Sequence, residues 1–160
     1  MDGWITIGTK LDTSKFDKQI SDLKAKIQKE ENNKLEIESN LKEQAEFLEG
    51  YSNVYDALIE GVKEYEEELA RLDAEIESFP RDENGFLINQ SDVDYVNELQ
   101  DKWQETNAEV QGFYTAIKNS EQGIQSTVEK MEKLKEQHDS VVAKIDEYNR
   151  KIAQTIALFF

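Results

Sequence analysis

His138 is the only histidine in the chain, and there is no cysteine. A catalytic histidine needs a nucleophile or an orienting carboxylate beside it in a pocket. Glu30 is a carboxylate that could face His138 across a helix pair, though only in one alignment of the helices. Glu30, Lys34 and Gln44 are polar residues set into an otherwise apolar repeat, so they either line an ion or ligand site between helices or act as polar layers that fix register. The second role suits His138 as well. Glu64-Tyr65-Glu66-Glu67-Glu68 is acidic but lacks the spaced oxygen ligands of a calcium loop. Asp82-Glu83-Asn84-Gly85 has neither the twelve-residue pattern nor the closing glutamate of such a loop. Both stretches read as solvated surface. Glycine-rich phosphate loops and nucleophile elbows are absent. One histidine cannot supply the two Glu-x-x-His pairs of a bundle metal site. The residues therefore point away from an enzyme and call for no cofactor or metal.

The elements that must carry these residues are helices. Charged residues make up 34% of the 160 positions and hydrophobic ones 38%, with a single proline. That is the profile of long helices and coiled coils. The net charge is -16. Lysines are interspersed with glutamates, and no basic stripe is present to follow a phosphate backbone or an anionic bilayer. Nucleic acid and membrane are therefore not expected partners. No apolar run approaches a membrane span, and Met1-Asp2-Gly3-Trp4 does not open a signal peptide.

Three regions follow along the chain. Residues 1–12 alternate, with Ile5, Ile7 and Leu11 on one side, and read as an extended, strand-like arm. A first long helix is expected over 13–79, capped at Asp12 or Thr13, with Leu11 and Phe16 spaced as a hydrophobic staple. One of its seams runs Ile20, Ile27, Lys34, Leu41, Leu48, Tyr55, Val62, Leu69 and Ile76. The other runs Phe16, Leu23, Glu30, Ile37, Gln44, Tyr51, Leu58, Tyr65, Leu72 and Phe79. A turn or loop is expected over 80–91, with Pro80 at its start and Asn84-Gly85 at its tip, and with Phe86, Leu87 and Ile88 closing the end of the bundle. Ser91 is placed to cap a second long helix over 92–157. Its seams run Val96, Trp103, Val110, Ile117, Ile124, Met131, His138, Ile145, Ile152 and Phe159, and Leu99, Thr106, Phe113, Ser120, Thr127, Leu134, Val141, Tyr148 and Thr155.

Two matched seams around one short turn predict an all-α fold: a single domain forming a long antiparallel coiled-coil helical hairpin, with the short arm ahead of it. Each arm of about 64 residues would extend ~96 Å. Two alignments fill the layers sensibly. One sets Glu30 beside His138, Tyr65 beside Trp103 and Leu48 beside Ser120. The other sets Leu72 beside Trp103, Val62 beside Phe113 and Tyr55 beside Ser120. The helix-interior glycines favour the second, because Gly50 falls level with Gly123 and Gly61 with Gly112. They also suggest a locally soft zone at mid-length, since each costs ~1 kcal/mol against alanine. Phe47, Val54, Ile59, Tyr114 and Val142 lie off the seams and imply a second contact surface, met by self-association or by another protein.

The segment from Gly3 to Ile20, GWITIGTKLDTSKFDKQI, joins an Ile-Thr-Ile element through Lys10-Leu11-Asp12-Thr13 to the start of a long coiled coil. It resembles the opening of tail tape measure proteins from siphophages and prophages of Gram-positive bacteria, over about residues 3–30. That resemblance implies a self-associating rod that sets tail length inside the tail tube and binds tail chaperones, tube or baseplate proteins. It would be made in the bacterial cytoplasm and then held in the virion, and it carries over no catalytic residues. Members of that family are much longer, so this chain would correspond to an N-terminal part or a short relative. The other reading is a bacterial coiled-coil adaptor or tether, cytoplasmic, that presents a helical surface to a protein partner.

Overall fold

The computed structural model describes the backbone of residues 2–159 and the side chains of residues 14–159. Two helices make up almost all of it: α1, Asp2–Glu77, and α2, Gln90–Phe159. They pack against each other as an antiparallel hairpin. Among the described residues there is no sheet, only one isolated bridge between Arg81 and Leu87 in the connecting turn.

Burial follows the heptads. Every α2 seam position from Val96 to Phe159 is buried or half-buried. From Phe16 to Phe79 the same holds on α1, except at Tyr51 and Tyr65, which lean out of the seam. A repeat of seven against 3.6 residues per turn keeps these positions on one slowly drifting stripe, so each helix can hide its apolar face only against the other.

The alignment lies close to the second of the two expected. Phe113 packs on Gly61, Tyr51 packs on Gly123, and the rings of Phe16 and Phe159 meet at 4.5 Å. His138 consequently faces Glu38 rather than Glu30. α1 also runs without interruption through Gly50-Tyr51-Ser52-Asn53.

The strand-like arm expected over 1–12 is corrected: the backbone is helical from Asp2, and Met1 lies outside the described residues. A lone strand would leave a row of backbone donors and acceptors unpaired, whereas a helix pairs them internally. The β-branched residues oppose this by only a few tenths of a kcal/mol each (roughly). Asp12 and Thr13 are therefore interior to α1 and do not cap it, and the Leu11 side chain of the expected staple lies outside the described residues.

The turn has the expected length but lies two residues earlier, over 78–89 rather than 80–91. α1 ends at Glu77, where the Ser78 amide donates to the Ala74 and Glu75 carbonyls. Pro80 disfavours helical geometry at Phe79 and stops the helix there. Gly85 has φ +84°, in the left-handed region that side chains avoid. The amides of Asn84 and Phe86 donate to the Asp82 carboxylate at 2.9 and 3.0 Å, and the Asp82 amide donates to the Phe86 carbonyl at 2.8 Å. The expectation that Phe86, Leu87 and Ile88 together close the bundle is also corrected. The bridge at Leu87 turns that residue inward, and alternation along an extended segment sends its neighbours out, so Phe86 and Ile88 are 70% and 61% exposed. Asn89 immediately precedes α2, and Ser91 lies inside the helix.

The hairpin divides into two packing units. The turn unit is Phe47–Thr127; the terminal unit comprises the chain up to Glu46 and from Val128 onward.

Candidate binding surfaces

The polar layers anticipated from the sequence all belong to the terminal unit. Glu30, Lys34, Gln44 and His138 are each half-buried. They do not converge on one another. The His138 Nε2 lies 3.0 Å from Glu38 Oε1, and Lys34 Nζ lies 4.0 Å from the same oxygen, so Glu38 joins a cation on its own helix to the imidazole of the facing one. Glu30 instead accepts from Asn33 Nδ2 at 3.4 Å. Beside these residues runs an open groove of about 400 Å³, with Ile37 and Val141 among apolar lining groups and Glu30, Asn33, Gln137 and Lys144 among polar ones. Its groups are mixed in charge, and two of them, Glu30 and Asn33, pair with each other. Further along this unit, Lys26 and Lys151 place their ammonium groups 5.8 Å from the centre of the Tyr148 ring, a cation–π arrangement from both helices.

The turn unit holds most of the dry contact. Val62, Leu72, Val96, Leu99 and Val110 are buried there, along with Ser120 and Thr127. The Thr127 hydroxyl donates to the Gly123 carbonyl at 2.8 Å, which satisfies it inside the seam. The Trp103 indole N–H is buried with no acceptor among the described residues. The ring is held by packing rather than by its polar edge.

Two of the four interior glycines are seats for aromatic rings. A Cβ at Gly61 would lie 2.9 Å from Phe113 Cε1, and one at Gly123 would lie 2.7 Å from Tyr51 Cε1. Each helix thus offers a glycine to a ring of the other, and Tyr65 adds a tilted contact with Phe113 at 5.3 Å between centroids. Gly50 and Gly112 meet nothing within 4 Å. At Gly61 and Gly123 the rings key the helices together within the zone the glycines mark.

Two tyrosines clasp the helices from outside the seam. Tyr95 Oη donates to Glu75 Oε1 at 2.8 Å, and the Tyr114 hydroxyl donates to Glu66. In each case the hydrogen bond to the carboxylate holds the phenol's pKa above its ordinary value, since ionisation would set two anions against each other. Sequence reading noted Tyr114 as an off-seam residue but did not find either clasp. Their partners become neighbours only once the hairpin closes.

At the turn, Pro80, Asn84 and Gly85 are where the sequence placed them. Two further residues organise it. Asp82 caps the loop amides, and Arg81 donates through Nη1 to the Gly85 carbonyl at 3.0 Å and through Nη2 to the Ile76 carbonyl at 3.4 Å. An aspartate two residues ahead of Asn-Gly was a legible signal for the first, because Asp side chains bond backbone amides two residues on. The arginine carried no such signal.

No family model, curated protein or solved structure matches this chain. Among the described residues, no helix is long and apolar enough to cross a membrane, and no group of three or more His, Cys, Asp or Glu residues is placed to hold a metal ion.

Proposed function

We propose that this chain is a structural coiled-coil segment that works through protein partners rather than through chemistry, and that it is of the tail tape measure kind. The reading rests on one observation: heptad seams whose positions are buried or half-buried from Phe16 to Phe79, Tyr51 and Tyr65 apart, and from Val96 to Phe159, continuing the segment whose residues resemble tape measure openings. A rod that sets a length must keep its shape over many turns, and a sustained heptad repeat is the sequence pattern that suits that task. In this role the chain self-associates, engages tail chaperones, tube or baseplate proteins, and passes from the bacterial cytoplasm into the tail interior.

Light scattering coupled to gel filtration, followed by co-sedimentation with purified tail tube and tail chaperone proteins, tests the proposal. The expected result is self-association in threes or multiples of three, or capture by a tail component. A monomer that ignores every tail protein would overturn it.

The second reading is a bacterial adaptor or tether. It is favoured by the exposed off-seam residues Phe47, Val54 and Tyr114, which a rod packed only on itself does not require. Genes for tail tube and baseplate proteins next to this one favour the first reading; their absence favours the second.

A further inference from the structure

Asn84 is the one asparagine in the chain that is followed by glycine, and with Asn89 it is one of two that lie outside the helices. An asparagine in that setting reacts with its own backbone. The nitrogen of the next residue attacks the side-chain amide carbon, and a five-membered imide forms as ammonia leaves. Glycine favours the step because it has no Cβ to obstruct the approach. Asn84 is exposed, and nothing among the described residues lies within 4 Å of where a Cβ on Gly85 would stand. Side chain and water therefore both reach the pair without a steric barrier.

The turn nevertheless holds the pair in a conformation that resists this reaction. The Gly85 amide donates to the Asp82 carbonyl at 3.1 Å, which closes a four-residue turn over 82–85. Among the described residues only Gly85 has positive φ. The turn is therefore of type I, with Asn84 at about φ −90°, ψ 0°. The imide closes only when the Gly85 nitrogen is eclipsed with the Asn84 Cβ about the Cα–C bond, and ψ near 0° keeps them apart. The nitrogen must also shed its proton to attack, and that proton is engaged by Asp82. The Asp82 carboxylate accepts from the amides of Asn84 at 2.9 Å and Phe86 at 3.0 Å, so it fixes the pair from both sides.

We propose that Asn84-Gly85 is a site of spontaneous deamidation whose rate is set by the turn: closed, Asp82 guards the pair; opened, Asn84 converts to isoaspartate and aspartate. In the first step a bond forms between the Gly85 nitrogen and Asn84 Cγ, the Cγ–Nδ2 bond breaks, and the Gly85 amide proton departs with Nδ2 as ammonia. Water then opens the imide. Attack at the main-chain carbonyl gives isoaspartate, whose backbone is one carbon longer, and attack at Cγ gives aspartate. One water is consumed, one ammonia is released, and nothing is oxidised or reduced. The longer backbone displaces the Gly85 carbonyl from Arg81 Nη1, which holds it at 3.0 Å. The new carboxylate joins the unit least able to accommodate it: the turn unit holds 19 Asp and Glu against 5 Lys and Arg, a net of -14, while the rest of the chain holds 16 against 14, a net of -2. The inference does not depend on which partner the chain meets.

The test holds the full chain at mildly alkaline pH, folded and in urea, and follows the conversion of amide to carboxyl by intact mass. Peptide mapping and labelling by an isoaspartyl methyltransferase place the change. Asn84 should convert at least about tenfold faster in urea than in the folded chain. D82A, checked for helicity by circular dichroism, should approach the urea rate without urea. D82N keeps an acceptor oxygen in the same place and should stay with the wild type. A folded wild type that converts as fast as the chain in urea would show that the turn guards nothing, and survival of Asn84 in urea would show that the pair is not labile; either result overturns the proposal. So does a helical D82A no faster than wild type, or a D82N that matches the urea rate. If D82A loses its helices, the wild-type and D82N comparisons with urea still decide.

Discussion

The turn unit and the terminal unit are built from the same heptad, yet they solve different problems with it. Among the described residues, the turn unit contains five of the six buried apolar ones, both ring-on-glycine contacts and both tyrosine clasps. The terminal unit contains Val141 as its one buried apolar residue among the described ones, and sets Glu30, Lys34, Gln44 and His138 into its seam. Its charges nearly balance, whereas those of the turn unit sum to -14. Dry packing contributes stability, and polar layers contribute alignment at some cost in stability. The strongest packing thus coincides with the greatest density of like charge, where it must offset self-repulsion.

The largest way to break this contrast is to cut into each seam. Leu72→Ala removes a buried side chain and should cost ~3 kcal/mol, whereas Ile27→Ala, at a half-buried position of the terminal unit, should cost about half as much. Urea titration of both variants checks the pair. Equal losses would mean that the two units do not differ in packing.

Replacing polar layers should act in the opposite direction. Gln44→Leu or Lys34→Ile should stabilise by ~1 kcal/mol each, at the expense of a single alignment. Thermal melts read the first effect. Measured mass reads the second, as additional oligomers.

The glycines give changes of opposite sign from the same substitution. Gly50→Ala and Gly112→Ala enter open space and should each stabilise by up to ~1 kcal/mol through helix propensity. Gly61→Ala and Gly123→Ala force Phe113 or Tyr51 to move and should gain nothing or lose stability. Four melting curves decide the matter. A uniform rise would show that the ring seats are loose.

The smallest expected effect is alkaline. Tyr95 and Tyr114 have raised pKa values in the folded chain, so their contribution is fully present below the ordinary tyrosine value near 10 and is lost as pH rises through the higher folded values. Phenolate absorbance should therefore show two late-titrating tyrosines. Glu75→Gln and Glu66→Gln should each return one of them toward its ordinary range.

Much of the fold was legible because it depends on periodicity. The residues assigned to α2's seams are the ones that became covered, and all but Tyr51 and Tyr65 did so on α1. Gly50 and Gly123, and Gly61 and Gly112, being level was enough to choose the better alignment. The extended reading of residues 1–12 rested on alternation and β-branching, which a helix that pairs its own backbone groups overrides. Phe86 and Ile88 were read as apolar and therefore covered, but the loop's own bridge decides which way they point. Glu38, the neighbour of His138, was missed because it belongs to neither seam and reaches the imidazole from the flank.

The sequence by itself determined that there are two helices, where the chain doubles back, and which stripe each helix must hide, because these follow from local propensity, from Pro80 and Gly85, and from a seven-residue period. Only the tertiary structure decided which glycines receive rings, which tyrosines reach a carboxylate, and which apolar residues remain uncovered. Those outcomes depend on how far one helix slides and rolls against the other, and that offset is fixed by the fit of side chains from distant parts of the chain.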